Sequence, residues 1–133
     1  MKLTIIKKDL CLADENGGEI IKRHKPLSKI EEFKKVGIDC IIVREDTNNY
    51  NNKKSNIYCL DDNLDLVWFS DQPFDNDIFP NKIVWNKELN DNGTSWSDYV
   101  IDNPNPMTCS SWNGFTVTID YMTGKIIKSI FTK

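Results

Sequence analysis

The 133-residue chain carries twenty acids but only one histidine, four cysteines and four tryptophans. Any chemistry it does must therefore rest on carboxylates and aromatic rings. His24 lies in Lys22-Arg23-His24-Lys25-Pro26, a basic run before a proline. A catalytic imidazole needs an orienting acid and a nucleophile within reach. The sequence around His24 supplies no such set, so a solvated histidine is expected. A single histidine also removes multi-histidine metal sites from a monomer. Cys11, Cys40, Cys59 and Cys109 are far apart and never form the close Cys-x-x-Cys pairs that zinc sites use. They are expected to be reduced, small core residues.

The carboxylates could serve two chemistries, acid–base hydrolysis or calcium binding. Adjacent acids such as Asp61 and Asp62 could in principle serve as acid and base in sugar hydrolysis. Acids in turn-like, solvated surroundings lack the burial that separates two pKa values. Asp61-Asp62-Asn63-Leu64-Asp65 starts like a calcium loop, but Leu66 replaces the sixth-position glycine and Gln72 the twelfth-position glutamate. No glycine-rich phosphate loop, dinucleotide fingerprint or nucleophile elbow is present. No catalytic residue, cofactor or metal ligand is assigned.

Charge is unevenly spread. Residues 1–58 are net +3, residues 59–102 net −8 and residues 103–133 net +2. The acidic middle argues against nucleic acid on that face, because phosphate binding needs cations. It favours a basic partner. Two loop-like stretches lie in this segment. Ser70–Pro80 contains two prolines, and 90–106 contains Asn90-Asp91-Asn92-Gly93 with Pro104 and Pro106. Function is expected on such loops. Trp68, Trp85 and Trp112 suit packing on a sheet face. Trp96, Phe74 and Phe79 sit inside the loops and suit an interface anchor.

The elements that must position these loops are strands. Short β-branched or alternating runs occur at 2–6, 19–21, 38–43, 56–60, 66–69, 82–85, 115–120 and 125–131. Asp14-Glu15-Asn16-Gly17-Gly18 and Trp112-Asn113-Gly114-Phe115 are hairpin signals, the second suited to a type I′ turn. Residues 27–35 are ambiguous. Leu27, Ile30 and Phe33 are spaced by three and Ser28 precedes Glu31 like a capping box, which argues a short helix. The resemblance described below argues a strand instead.

Three segments, 10–21, 57–68 and 116–127, share one plan: apolar strand, aspartate, polar turn, apolar strand. Asp14, Asp61 and Asp120 hold equivalent places, where a carboxylate can accept a backbone N–H of its own turn. Asn56-Ile57-Tyr58-Cys59-Leu60-Asp61 followed by Leu66-Val67-Trp68 resembles the hairpin of quinoprotein-type β-propeller blades. So does Trp112-Asn113-Gly114-Phe115 followed by Ile119-Asp120 and Thr123-Gly124-Lys125-Ile126-Ile127. A closed propeller needs at least about four blades of four strands. The resemblance therefore implies a partial propeller or sandwich-like domain. The fold expected is mostly β, built of antiparallel sheets from blade-like hairpins, with at most one short helix. Nothing in the hairpin motif carries over quinone binding.

The wider pattern is a blade-like hairpin ending in tryptophan, then an acidic stretch, then Trp-x-Gly…Ile-Asp-x-x-Thr-Gly-Lys. It resembles small bacterial proteins encoded beside polymorphic toxins, including immunity proteins of contact-dependent growth inhibition systems. The resemblance implies stoichiometric inhibition of a cognate toxin domain with a basic, nuclease-type surface. Carboxylates would stand in for RNA phosphates there. The expected contacts are Asp61, Asp62, Asp65 and Asp71, then Phe74, Asp75, Asp77 and Phe79, then Trp96, Asp98 and Tyr99. A propeller-like scaffold and a carboxylate-pair enzyme acting on carbohydrate are the rival readings. The length suits one domain spanning 1–133. No run approaches the roughly 18 apolar residues of a membrane helix, and no export signal is evident. A monomeric cytoplasmic protein is expected.

Overall fold

The computed structural model describes residues 1–48, 50, 54–89, 96–97 and 105–132, with 96–97 described by backbone alone. Strands β1 (Lys2–Ile6), β2 (Asp9–Ala13) and β3 (Ile20–His24) form sheet 1, in the order β1-β2-β3. Strands β4 (Ile30–Val36), β5 (Cys40–Glu45), β6 (Ile57–Leu60) and β7 (Leu66–Phe69) form sheet 2, again in chain order. The remaining strands are β8 (Val84–Trp85), β9 (Glu88–Leu89), β10 (Trp96–Ser97), β11 (Pro106–Ser110), β12 (Phe115–Asp120) and β13 (Lys125–Phe131). Sheet 3 runs β8-β11-β12-β13, and β9 pairs with β10. Every pairing is antiparallel. The mostly-β class is thus the architecture observed, with no helix among the described residues.

Sheet 2 is the central layer. Side chains alternate along a strand, so one face of β5 and β6 presents Cys40, Ile42, Ile57 and Cys59. These pack with Met107, Cys109, Val117 and Ile119 of sheet 3. The opposite face presents Ile41, Val43, Tyr58 and Leu60, which pack with Leu10 and Leu12 of sheet 1. A strand covered on both faces must be apolar at consecutive positions. This explains why Cys40–Glu45 and Ile57–Leu60 are buried throughout. All four cysteines are free thiols and buried. Cys40 and Cys59 face each other, Sγ to Sγ 2.7 Å.

The threefold repeat is structural: its aspartates mark one hairpin in each sheet. Asp14 Oδ1 accepts Asn16 N–H at 2.9 Å, Asp61 Oδ1 accepts Asn63 N–H at 2.8 Å and Asp120 Oδ1 accepts Met122 N–H at 2.9 Å. A register shift precedes each aspartate at the same place, between Leu12/Ala13, Cys59/Leu60 and Thr118/Ile119. A bulge there turns the strand into the hairpin with added twist.

One local ambiguity is resolved and one local expectation is corrected. Residues 30–36 are a strand, and a register irregularity between Ile30 and Glu32 explains the helical-looking spacing. The extra residue puts Ile30 and Phe33, three apart, against the same core. The Trp112-Asn113 turn is not type I′. Asn113 keeps a negative φ, Gly114 N–H donates to Ser111 O, and Gly114 alone takes a left-handed φ of 93°.

Candidate partner-binding surface

The segment from Ser70 to Ile83 is a strap that ties sheet 2 to sheet 3. Its first end is fixed by Asp71, whose N–H donates to Gly124 O at 2.8 Å and whose Oδ2 accepts Ile126 N–H at 3.1 Å. Its middle is latched by Asp77, whose Oδ1 accepts Ile78 N–H and Asn113 N–H at 3.0 and 3.1 Å. Trp112 N–H donates to Ile78 O beside that latch. Asn56 grips the next residue from both sides: its Oδ1 accepts Phe79 N–H and its Nδ2 donates to Phe79 O, each at 2.8 Å. Arg44 donates to Pro80 O at 3.2 Å and to Glu32 Oε2 at 2.5 Å, and that same oxygen accepts Ile83 N–H. Phe79 is the strap's plug and is fully buried between the sheets.

This geometry sorts the expected contacts. Asp77 and Phe79 are wholly buried, so neither meets a partner; both hold the strap from inside. Asp61 accepts Asn63 N–H and Asp65 N–H and stabilises its turn. Asp62 pairs with Lys35 at 3.2 Å and Asp65 with Lys22 at 2.6 Å. The fold therefore lays part of the basic N-terminal half against the first acids of the −8 segment. That segment is not one uncompensated patch, and with Asp77 and Glu88 buried its acids are not all solvated. Asp98 and Tyr99 lie outside the described residues, and of Trp96 only the backbone is described, paired to Leu89. Asp71, Phe74 and Asp75 are exposed.

Around Phe74 the fold assembles aromatics that sequence reasoning missed. The Phe74 ring stacks on Phe115 with centroids 6.1 Å apart and planes 17° apart. Phe115 meets Phe131 edge-to-face at 5.4 Å, across the β12–β13 register pair. Phe74 is 55% exposed, Phe131 60% and Trp112, three residues before Phe115 in the turn, 67%. Trp112 is thus a surface residue rather than a packing one. The available signal was the alternation of β13, which carries Ile127 and Phe131 outward. Contiguous exposed rings mark interaction surfaces more often than isolated ones, and aromatics are enriched in interface cores. Among its described residues the patch offers no nucleophile or acid–base pair; its chemistry is desolvation of rings on a strap that also exposes Asp71, tied to Ile126 N–H, and Asp75.

His24, expected to be solvated, is half-buried. Its Nε2 lies 2.6 Å from Tyr58 Oη. Tyr58 gives its one hydroxyl hydrogen to the buried Glu45 carboxylate, whose other oxygen accepts Ser28 N–H at 2.7 Å. His24 must therefore donate through Nε2–H. Burial holds its pKa below the usual 6.5, against the attraction of Glu45 and Asp9. Tyr58 and Tyr50 are pushed upward, chiefly by burial and then by Glu45. The group is a structural network that closes the sheet 1–sheet 2 layer.

Among the described residues no three potential metal ligands come together, and no helix is long and apolar enough to cross a membrane. No family model matches the chain, and no curated protein matches it.

Proposed function

We propose that the protein is an immunity-type inhibitor that binds a cognate toxin domain one to one. The observation that carries this reading is the stack of exposed Phe74 and Phe131 on half-buried Phe115, with exposed Trp112 in the turn that leads into Phe115. Asp71 and Asp75 are exposed on the same strap as Phe74. The binding surface moves accordingly, from the acidic loops as a whole to this aromatic patch. Aromatic rings supply the desolvated centre of an interface, and rim carboxylates favour a basic partner and speed its approach. A nuclease-type domain, whose substrate is anionic, has such a surface. The fixed strap presents Phe74 without a large ordering cost, which favours tight binding. The pattern resemblance to immunity proteins encoded beside toxins supplies the partner class.

The test is co-purification with the protein encoded immediately upstream, at low and high salt. A 1:1 complex that silences a toxic neighbour supports the reading. Trp112→Ala and Phe131→Ala should each weaken that complex at least about tenfold while leaving the melting temperature nearly unchanged. A harmless neighbour, or one that ignores this protein, removes the immunity reading. A toxic neighbour bound equally well by both variants removes the aromatic surface alone.

A further inference from the structure

The two residues at the tip of the β1–β2 hairpin, Lys7 and Lys8, both take left-handed backbone conformations, φ 50° and 75°. A two-residue hairpin turn with both φ values positive is the type I′ geometry, which asparagine and glycine fill without strain. Lysine has a Cβ that crowds the following carbonyl there. Such a choice at two successive positions points to a use for the side chains.

The cavity beside this tip has a volume of about 430 Å³. Lys7 and Lys8 line it together with Lys25, Lys29, Asp9 and Asp46. Both carboxylates are already engaged. Asp9 faces Arg23 at 3.6 Å, and Asp46 accepts the Ser28 hydroxyl and Asn48 N–H. Among the described residues, none of the four lysine side chains has an ion-pair or hydrogen-bond partner. Four exposed lysines thus line one concavity, against a single carboxylate with no cationic partner, Asp46, so the lining is net positive. Among the described residues its lining comes from the β1–β2 hairpin tip, the 25–29 connection and the segment just after β5, with none from sheet 3, so it is distinct from the aromatic surface.

We infer that this cavity binds a small anion carrying several phosphate charges. Lysine ammonium groups match phosphate as point charges, each with three donors that can turn to an oxygen. Among the described residues, the lining has no aromatic ring for a base to stack on. Charge is therefore the recognised feature, and a chain of phosphates is the ligand class.

Titration calorimetry with inorganic tripolyphosphate at low salt tests this. Saturable 1:1 binding that weakens as salt rises is expected. An exposed charge pair at contact is worth roughly 1 kcal/mol, so Lys25→Ala and Lys29→Ala should each weaken binding about fivefold. A second variant, Lys7→Asn with Lys8→Gly, relaxes the turn while removing two charges. It should raise the melting temperature by about 4 °C and weaken tripolyphosphate binding at least about tenfold. Absence of tripolyphosphate binding, or affinity unchanged in these variants, overturns the proposal. So does capture by an RNA duplex or by phosphatidylcholine vesicles doped with phosphatidylinositol bisphosphate when tripolyphosphate is not bound.

Discussion

Gly124 and Gly18 share nearly the same backbone geometry, φ 76° and 68°, but opposite surroundings. A Cβ at Gly18 would meet nothing within 4 Å. A Cβ at Gly124 would lie 2.5, 2.7 and 3.1 Å from Cε3, Cδ2 and Cζ3 of Trp68. That ring comes from β7 in sheet 2, whereas Gly124 lies in the β12–β13 turn of sheet 3, so the contact joins the two layers. Gly18→Ala should cost only the left-handed penalty, about 1–2 kcal/mol. Gly124→Ala adds forced displacement of a flat, half-buried ring held between layers, an overpacking cost of about 1–3 kcal/mol. The expected total is about 2–5 kcal/mol, and the difference between the variants isolates the Trp68 contact. Gly124 O also accepts Asp71 N–H, so the strap that carries Phe74 should loosen in the same variant. Urea denaturation followed by tryptophan fluorescence measures both. Equal destabilisation of the two variants, within about 0.5 kcal/mol, would refute the claim that ring and turn backbone lock the sheets together.

Four further outcomes follow from the same structure. Asp77→Ala should destabilise by about 2–4 kcal/mol, because two N–H groups at the latch lose their acceptor. Asp75→Asn should leave stability unchanged and alter only the salt dependence of partner binding; denaturation and association kinetics on the pair check this, and equal effects would contradict the division between strap and surface. Arg44→Met should cost about 3 kcal/mol by leaving Glu32 mostly buried without its cation; a loss below about 1 kcal/mol, by denaturation, would rule out the pair as a fastener of the strap. For His24, the folded pKa lies below the unfolded value, so the unfolded chain takes the proton first. Its stabilising contribution is full above the usual 6.5 and is lost as pH falls through that value toward the folded pKa. Urea midpoints for the native chain and His24→Gln should converge between pH 7.5 and 5, and parallel curves would sink the assignment.

Strand identity was legible wherever a segment has one solvated face or carries its own turn chemistry. Phe115–Asp120 and Lys125–Phe131 are strands over the spans their alternation predicts. The Asp14, Asp61 and Asp120 turns are local devices, each needing only a carboxylate and an N–H two residues on. They form as the repeat implies. The 27–35 segment was ambiguous because a bulge gives a strand the three-residue spacing of a helix turn.

The candidate site was only partly legible, and the reason is physical. Sequence records charge and apolarity but not which neighbours compensate or cover them. Asp62 and Asp65 read as free acids until distant Lys35 and Lys22 fold against them. Phe79 and Phe74 sit five residues apart in one acidic, proline-containing segment with no regular period to separate them. Only the stacking of sheets 2 and 3 buries the first and leaves the second exposed on Phe115. The sequence by itself determined most of the longer strands, the three aspartate turns and the surplus of acid in the middle; β4 stayed ambiguous and β11 was not among the expected strands. Tertiary structure alone decided which face of each sheet meets another. It thereby decided which rings and carboxylates remain for a partner, because burial depends on surfaces brought together from far along the chain.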